Sequence, residues 1–422
     1  MKASTVPRAL PLLAAVLASL LLPLAANAGE IVENSTLRGK NLLGYQGWFS
    51  TPGDGSQLGS LHHWFRGSDS GTKPIFDMWP DTSEMDGDEL VDSPLKLSDG
   101  APAKLFSSYN EKTVVRHFKW MEDAGIDGIL LQRFIGEAQD PRFFDFRNKV
   151  TRNVMTGAEK HGRVFALEYD MAADEAELVK KDWMLLIDEL KITESNRYLK
   201  HNGRPLVGLW GIGFTHREGT AEQAMELINW FHEKAPEKYR ATLLGGVPTH
   251  WRRGIGDSQP GDEWAKVYRS IDVISPWTIG RYKDDKQADN HHEEFLVPDL
   301  AETNRYGLEY MPVVFPGFSW KNLHDGELNQ IPRNGGRFYW NQVENAVSAG
   351  VTMIKTAMFD EVDEGTAMFK TIAKKQDSPE GFLTLDADGE QLPNDWYLRL
   401  SGEASKLLRK EIPVTGVLPI KP

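Results

Sequence analysis

Eight short apolar runs recur along the chain and alternate with segments of helical spacing. The runs are Asn41–Phe49, Gly128–Phe134, Arg163–Asp170, Pro205–Gly211, Thr242–Val247, Asp272–Trp277, Tyr310–Pro316 and Met353–Phe359. They are nearly continuous rather than alternating, which is the pattern of strands buried on both faces in a parallel sheet. Glu111–Ala124 reads as a helix with Val114, Phe118 and Met121 on one stripe, widened by Val115, while Trp120 falls off it. Asp174–Lys191 and Thr220–Lys234 show the same spacing, Asn341–Ala349 precedes the eighth run, and Thr366–Lys375 follows it as a further helix. Eight strand–helix units predict a closed α/β fold, the (β/α)8 TIM barrel, rather than an open sheet. No repeat of fixed period is visible.

A barrel places its active site at the C-terminal ends of the strands. Several of the predicted strand ends carry polar or aromatic residues: Tyr45, Gln46 and Trp48 on the first, Gln132 and Arg133 on the second, Glu168, Tyr169 and Asp170 on the third. Trp210 closes the fourth run, His250 and Trp251 follow the fifth, Trp277 ends the sixth, and the seventh runs on to Phe318 and Trp320. Arg133 is read as a partner for a buried carboxylate. Aromatic faces stack on the C–H faces of sugars and carboxylates hold their hydroxyls, so this ring fits a carbohydrate.

One connection is long. Residues 50–109 show no helical pattern but contain His62-His63-Trp64-Phe65-Arg66-Gly67 and Asp77-Met78-Trp79-Pro80-Asp81. An insertion of this length inside a compact domain is usually functional, and this one follows the first strand, so it should cover the same end of the barrel.

The N-terminus reads as a leader. Lys2 and Arg8 precede an apolar run from Ala9 to Ala26, interrupted by Pro11 and Pro23, and Ala26-Asn27-Ala28 offers a small-x-small cleavage site. Residues 1–28 are therefore expected to be a signal peptide cut after Ala28, and residues 29–422 a single catalytic domain, secreted or periplasmic, with no membrane anchor. The chain has no cysteine, which excludes disulfides, a thioether-linked lipid, thiolate metal sites and thiol nucleophiles. The formal charge of −13 argues against nucleic acid or an anionic membrane as partner. A monomer is expected.

The densest chemistry is Phe359-Asp360-Glu361-Val362-Asp363-Glu364-Gly365-Thr366, with four carboxylates in five residues after the eighth apolar run. Carboxylates this close repel one another, so some hold their protons to higher pH. Such a set can supply both a general acid and a general base. A solvated acidic turn is the plain alternative.

Tyr45-Gln46-Gly47-Trp48-Phe49, Asp77-Met78-Trp79-Pro80, Phe315-Pro316-Gly317-Phe318 and Asn334-Gly335-Gly336-Arg337-Phe338-Tyr339-Trp340, together with the end of the eighth run, resemble the glycoside hydrolase family 71/99-like proteins. That group includes endo-α-mannosidases built on (β/α)8 barrels, and its broader members are labelled xylosidase or arabinosidase. The family 99 motif Asn-Glu-Trp-x-Glu-Gly-Thr corresponds to Asp360-Glu361-Val362-Asp363-Glu364-Gly365-Thr366. The resemblance implies an exported enzyme that cleaves a glycosidic bond with retention. Glu361 would deprotonate the substrate 2-hydroxyl, and Glu364 would protonate the leaving oxygen and then activate water. Tyr45, Trp48, Trp79, Arg133, Glu168, Tyr169, Asp170, Trp210, Trp277 and Asp360 would bind substrate. The motif Asn is Asp360 here and the motif Trp is Val362, so a non-catalytic carbohydrate-binding barrel is the alternative. No cofactor is expected. No metal is expected either: the histidine pairs His62-His63 and His291-His292 are adjacent in sequence, and adjacent side chains usually point apart.

Overall fold

The computed structural model describes residue 1 and residues 29–66 and 73–422. The expected signal peptide lies outside the described residues except for Met1. No helix among the described residues is long and apolar enough to cross a membrane.

All eight predicted strands form. They span Lys40–Tyr45, Gly128–Phe134, Val164–Asp170, Arg204–Trp210, Thr242–Val247, Val273–Pro276, the pair Glu309–Tyr310 and Val313–Val314, and Met353–Thr356. Strands one to six pair in parallel in sequence order, and the eighth pairs with the first, Lys40 lying beside Met353. The seventh strand closes the barrel in two pieces. Glu309–Tyr310 pairs with the sixth strand and Val313–Val314 with the eighth. Pro312 sits between them. It has no N–H to give, but its carbonyl accepts from Lys355 N at 3.0 Å while Met311 N donates to Ile274 at 2.9 Å, so the chain changes partner across the proline.

The helices around the barrel begin and end where capping chemistry allows. Asn110 accepts from Lys112 N ahead of Glu111–Ala124, which Gly125 stops in the left-handed region. Asp140 caps Pro141–His161, with proline in the first turn and Gly162 left-handed at the end. Val114, Phe118 and Met121 are buried as the stripe predicts. Trp120 is buried as well. The insertion covers it: its indole donates to Glu84 at 2.7 Å, and Lys370 lies over its ring.

Two expectations need correction. Thr366–Lys375 is not a helix. It runs extended along the insertion, where Ile372 N donates to Trp79 O at 2.9 Å and Asp81 N to Lys370 O at 3.0 Å. Backbone partners offered from across the fold outweigh its weak local preference. The helix that completes the eighth unit is Trp396–Leu408, buried along one side against the barrel. The described part of 50–109 is also more structured than its pattern suggests, and includes a hairpin of Leu90–Lys96 with Pro102–Phe106.

The insertion is tied down over the C-terminal end of the barrel. Asp77 N and Met78 N both donate to the carbonyl of Val362, at 2.9 and 3.1 Å. The Asp77 carboxylate accepts from Ser319 Oγ at 2.5 Å and from Lys321 N and Asn322 N at 2.8 Å. The acidic turn after the eighth strand is therefore roofed by the insertion and cannot be a solvated surface loop.

Candidate active site

Residues 360–364 lie just beyond the eighth strand, which ends at Thr356, and three of the four carboxylates are buried. Asp360 accepts from Gln46 N at 2.7 Å and Gly47 N at 2.9 Å, one on each oxygen. Expected to meet substrate, it instead braces the turn after the first strand, with no exposed surface. Glu361 accepts from Gln46 Nε2 at 2.5 Å and Thr366 Oγ1 at 2.8 Å. Glu364 is partly exposed, and its Oε1 accepts from the Trp320 indole at 3.3 Å. Trp320 keeps 37% of its surface exposed beside Glu364, with its ring against His324 and Phe318. Asp363 is 2% exposed because the insertion lies against it.

Burial raises every one of these groups. Asp360, Asp363 and Glu364 are pushed up to about 7. Glu361 is raised well above its ordinary range by burial, then by Glu364 and Asp363. Loss of water is the largest cause for both Glu361 and Glu364; Glu364 and Asp363 add to it at Glu361, and Asp363 adds to it at Glu364.

This burial sets the direction of a stability effect. Asp360 titrates near 7 in the folded chain against 3.8 when free. The folded state then holds the proton more tightly between those values, and stability falls as pH rises from about 4 to about 7. The gap corresponds to on the order of 4 kcal/mol. The expected outcome is a melting temperature that climbs as pH is lowered from 8 to 5, and a smaller climb in Asp360→Asn. Calorimetry across that range checks both, and an equally steep slope in the variant would remove Asp360 as the source.

Strand alternation sorts the remaining residues. Successive side chains point to opposite faces, so neighbours named together at one strand end cannot all enter the barrel. Tyr45 points outward, its hydroxyl 2.9 Å from His117 Nδ1 on the helix Glu111–Ala124. Arg133 points outward and forms a two-pronged bond with Asp182, both distances 2.6 Å. Tyr169 donates to the same Asp182 at 2.9 Å. These three hold helices against the barrel and do not face its mouth. Trp79 is buried inside the insertion against Phe76 and Phe382, its indole donating to Lys104 O at 3.2 Å.

Gln132, Glu168 and Lys355 point inward. Lys355 Nζ lies 2.5 Å from Glu168, and Gln132 Nε2 donates to the same carboxylate. Lys355 also sits over the Trp277 ring at 5.3 Å, and Trp277 meets Trp210 edge to face at 5.3 Å. Arg217 pairs with Asp170 at 2.7 Å and lies over Trp210 at 5.0 Å. Burial pushes Asp170 up to about 6 against the pull of Arg217. Glu168, Asp170, Trp210 and Trp277 are therefore linked at one side of the mouth.

Trp48 stacks on His63, ring centroids 3.8 Å apart, and on Phe134 at 5.1 Å. Its indole N–H is buried without a partner. His63 Nδ1 lies 3.9 Å from Asp363. Gln46, Thr366 and Lys355 were not singled out from the sequence as site residues. Lys355 had a signal, a lone charge inside an apolar run. Gln46 had its place at a polar strand end, and Thr366 had none beyond lying in the motif. A cavity of about 530 Å³ opens near Lys40, Asp127 and Arg409. Those residues belong to the opposite, N-terminal end of the barrel, where Arg409 pairs with Asp127 at 2.9 Å, so the cavity is remote from the carboxylates.

No family model and no curated protein matches the chain. Among solved structures, the GH99 endo-α-mannosidase from Bacteroides thetaiotaomicron superposes with a TM-score of 0.63 at 14% identity, over 89% of this chain and 99% of that one. A complex of that enzyme with bis-tris-propane gives the same values. A glycoside hydrolase-like protein superposes with a TM-score of 0.51 at 13% identity, over 81% and 98%. The chain therefore shares the (β/α)8 fold of the GH99 endo-α-mannosidases along nearly the whole of their length.

Proposed function

We propose that this chain is an exported glycoside hydrolase that uses Glu361 and Glu364 as a retaining pair. The observation that carries this reading is the contrast between the two glutamates. Glu361 is buried and fixed by two donors, Gln46 and Thr366, whereas Glu364 is partly open beneath an exposed Trp320. Two fixed donors hold Glu361 in place to take a proton, and the open side of Glu364 can reach a leaving oxygen.

In this mechanism a sugar unit lies against Trp320 with its glycosidic oxygen at Glu364. Glu364 gives its proton to that oxygen as the bond to the anomeric carbon breaks. Glu361 takes the proton of the neighbouring 2-hydroxyl, whose oxygen closes on the anomeric carbon. Glu364, now ionised, removes a proton from water as water opens the strained ring, and Glu361 returns its proton to the 2-oxygen. Two inversions give net retention. The solved relatives named as endo-α-mannosidases support this reaction class, and the Asp360 and Val362 departures leave the sugar open to test.

The test is a panel of polysaccharides and aryl glycosides, followed by proton NMR of the anomer first released from whichever substrate is cleaved. Retention is expected. An inverted first product would overturn the pairing, and tight glycan binding with no new reducing ends would place the chain among non-catalytic carbohydrate-binding barrels.

A further inference from the structure

We propose that His62, His63 and Glu137 form a divalent-metal site of the zinc class in the wall of the barrel mouth. Each residue offers one ligand atom, and the three atoms lie within 4.8 Å of one another. Neighbouring side chains in an extended segment diverge, but His63 adopts a left-handed backbone with φ of 58°. That turn brings the two rings to a centroid separation of 4.5 Å, nearly perpendicular. The pair converges here, against the usual divergence of adjacent histidines.

One further observation points to a bound cation. His62 Nε2 and His63 Nδ1 are both buried with no hydrogen-bond partner, and an unmet nitrogen in a dry place is costly unless something occupies it. Glu137 supplies the negative charge. Arg147 occupies Oε2 of Glu137, at 2.6 and 2.9 Å, which leaves Oε1 for an ion.

Two imidazoles and one carboxylate, with no thiolate, suit Zn²⁺ or a neighbouring first-row ion better than Ca²⁺ or Mg²⁺. Three protein ligands leave a coordination position open. Arg147 also donates to Gln46 O at 3.1 Å, and Gln46 holds Glu361. An ion here would therefore sit beside the machinery that positions Glu361, with Asp363 next to His63. The nearby guanidinium opposes a cation, so the affinity is moderate rather than structural.

The test uses the full chain after exhaustive chelation, titrated with Zn²⁺ by calorimetry and with Co²⁺ by visible absorption. One saturable ion per chain and the intense bands of four-coordinate cobalt are expected. Loss of an outer-shell partner alone weakens metal binding by about 10–100-fold, so His62→Gln and Glu137→Gln should each cost at least about tenfold. His250→Gln, which alters a histidine paired with Asp257 elsewhere, should bind as wild type does. The proposal fails if wild type binds no ion, if cobalt shows only weak six-coordinate bands, or if both ligand variants bind unchanged. Circular dichroism shows whether each variant is folded. The wild-type cobalt spectrum decides the matter even where a variant is not.

Discussion

Glu364→Gln is expected to lower turnover by about 10²–10⁴-fold, the usual contribution of a positioned general acid, while the fold stays intact. The amide keeps the shape of the side chain and can still accept from Trp320. It removes a carboxyl that burial and Asp363 push up to about 7, so the variant should be no less stable than wild type. The pH profile gives a second readout. Wild-type turnover should fall as pH rises through about 7, because the acid loses the proton it must donate. That limb should disappear in the variant on a substrate whose leaving group needs no protonation, such as an activated aryl glycoside. Measuring kcat and the melting temperature together checks the prediction. A variant that cleaves the natural linkage at the wild-type rate would remove Glu364 from the mechanism.

Lys355→Met is expected to destabilise the chain by about 3–5 kcal/mol, the cost of leaving one member of a buried pair alone. Lys355 and Glu168 are 1% and 0% exposed at the side chain and lie 2.5 Å apart. Without the lysine, Glu168 keeps Gln132 as its donor, which satisfies one oxygen but neutralises no charge. Its other oxygen already lacks a partner. The double variant Lys355→Met with Glu168→Leu should recover most of the loss, because an apolar pair of similar volume carries no desolvation penalty. Urea unfolding of the single and double variants measures this. A single variant within about 1 kcal/mol of wild type would show that water reaches Glu168 and that the barrel interior is wetter than its packing implies.

The barrel was legible in the sequence because its strands are buried on both faces. Gly128–Phe134 and Thr242–Val247 form with the ends their apolar runs predict. Boundaries blur where a run continues past its pairing partner. The first run reads on to Phe49 while the strand stops at Tyr45, because residues 46–49 turn to meet Asp360 and the insertion. The site was legible only in part. Asp360, Glu361, Asp363 and Glu364 announce themselves by density. The strand-end residues Tyr45, Arg133 and Tyr169 do not differ in composition from Gln132 and Glu168, and only the pleat decides which set faces inward.

Local pattern by itself determined the strand count, the closed α/β class and the carboxylate turn, since all three depend on spacing along the chain. Tertiary structure alone decided the rest. The insertion lays Asp77 and Met78 on Val362 and so buries Asp363, turning an acidic loop into a set of raised carboxyls. It also brings His62 and His63 toward Glu137, which follows the second strand. Burial and convergence come from residues far apart in sequence, and dielectric environment and ligand geometry are properties of that assembly rather than of any segment within it.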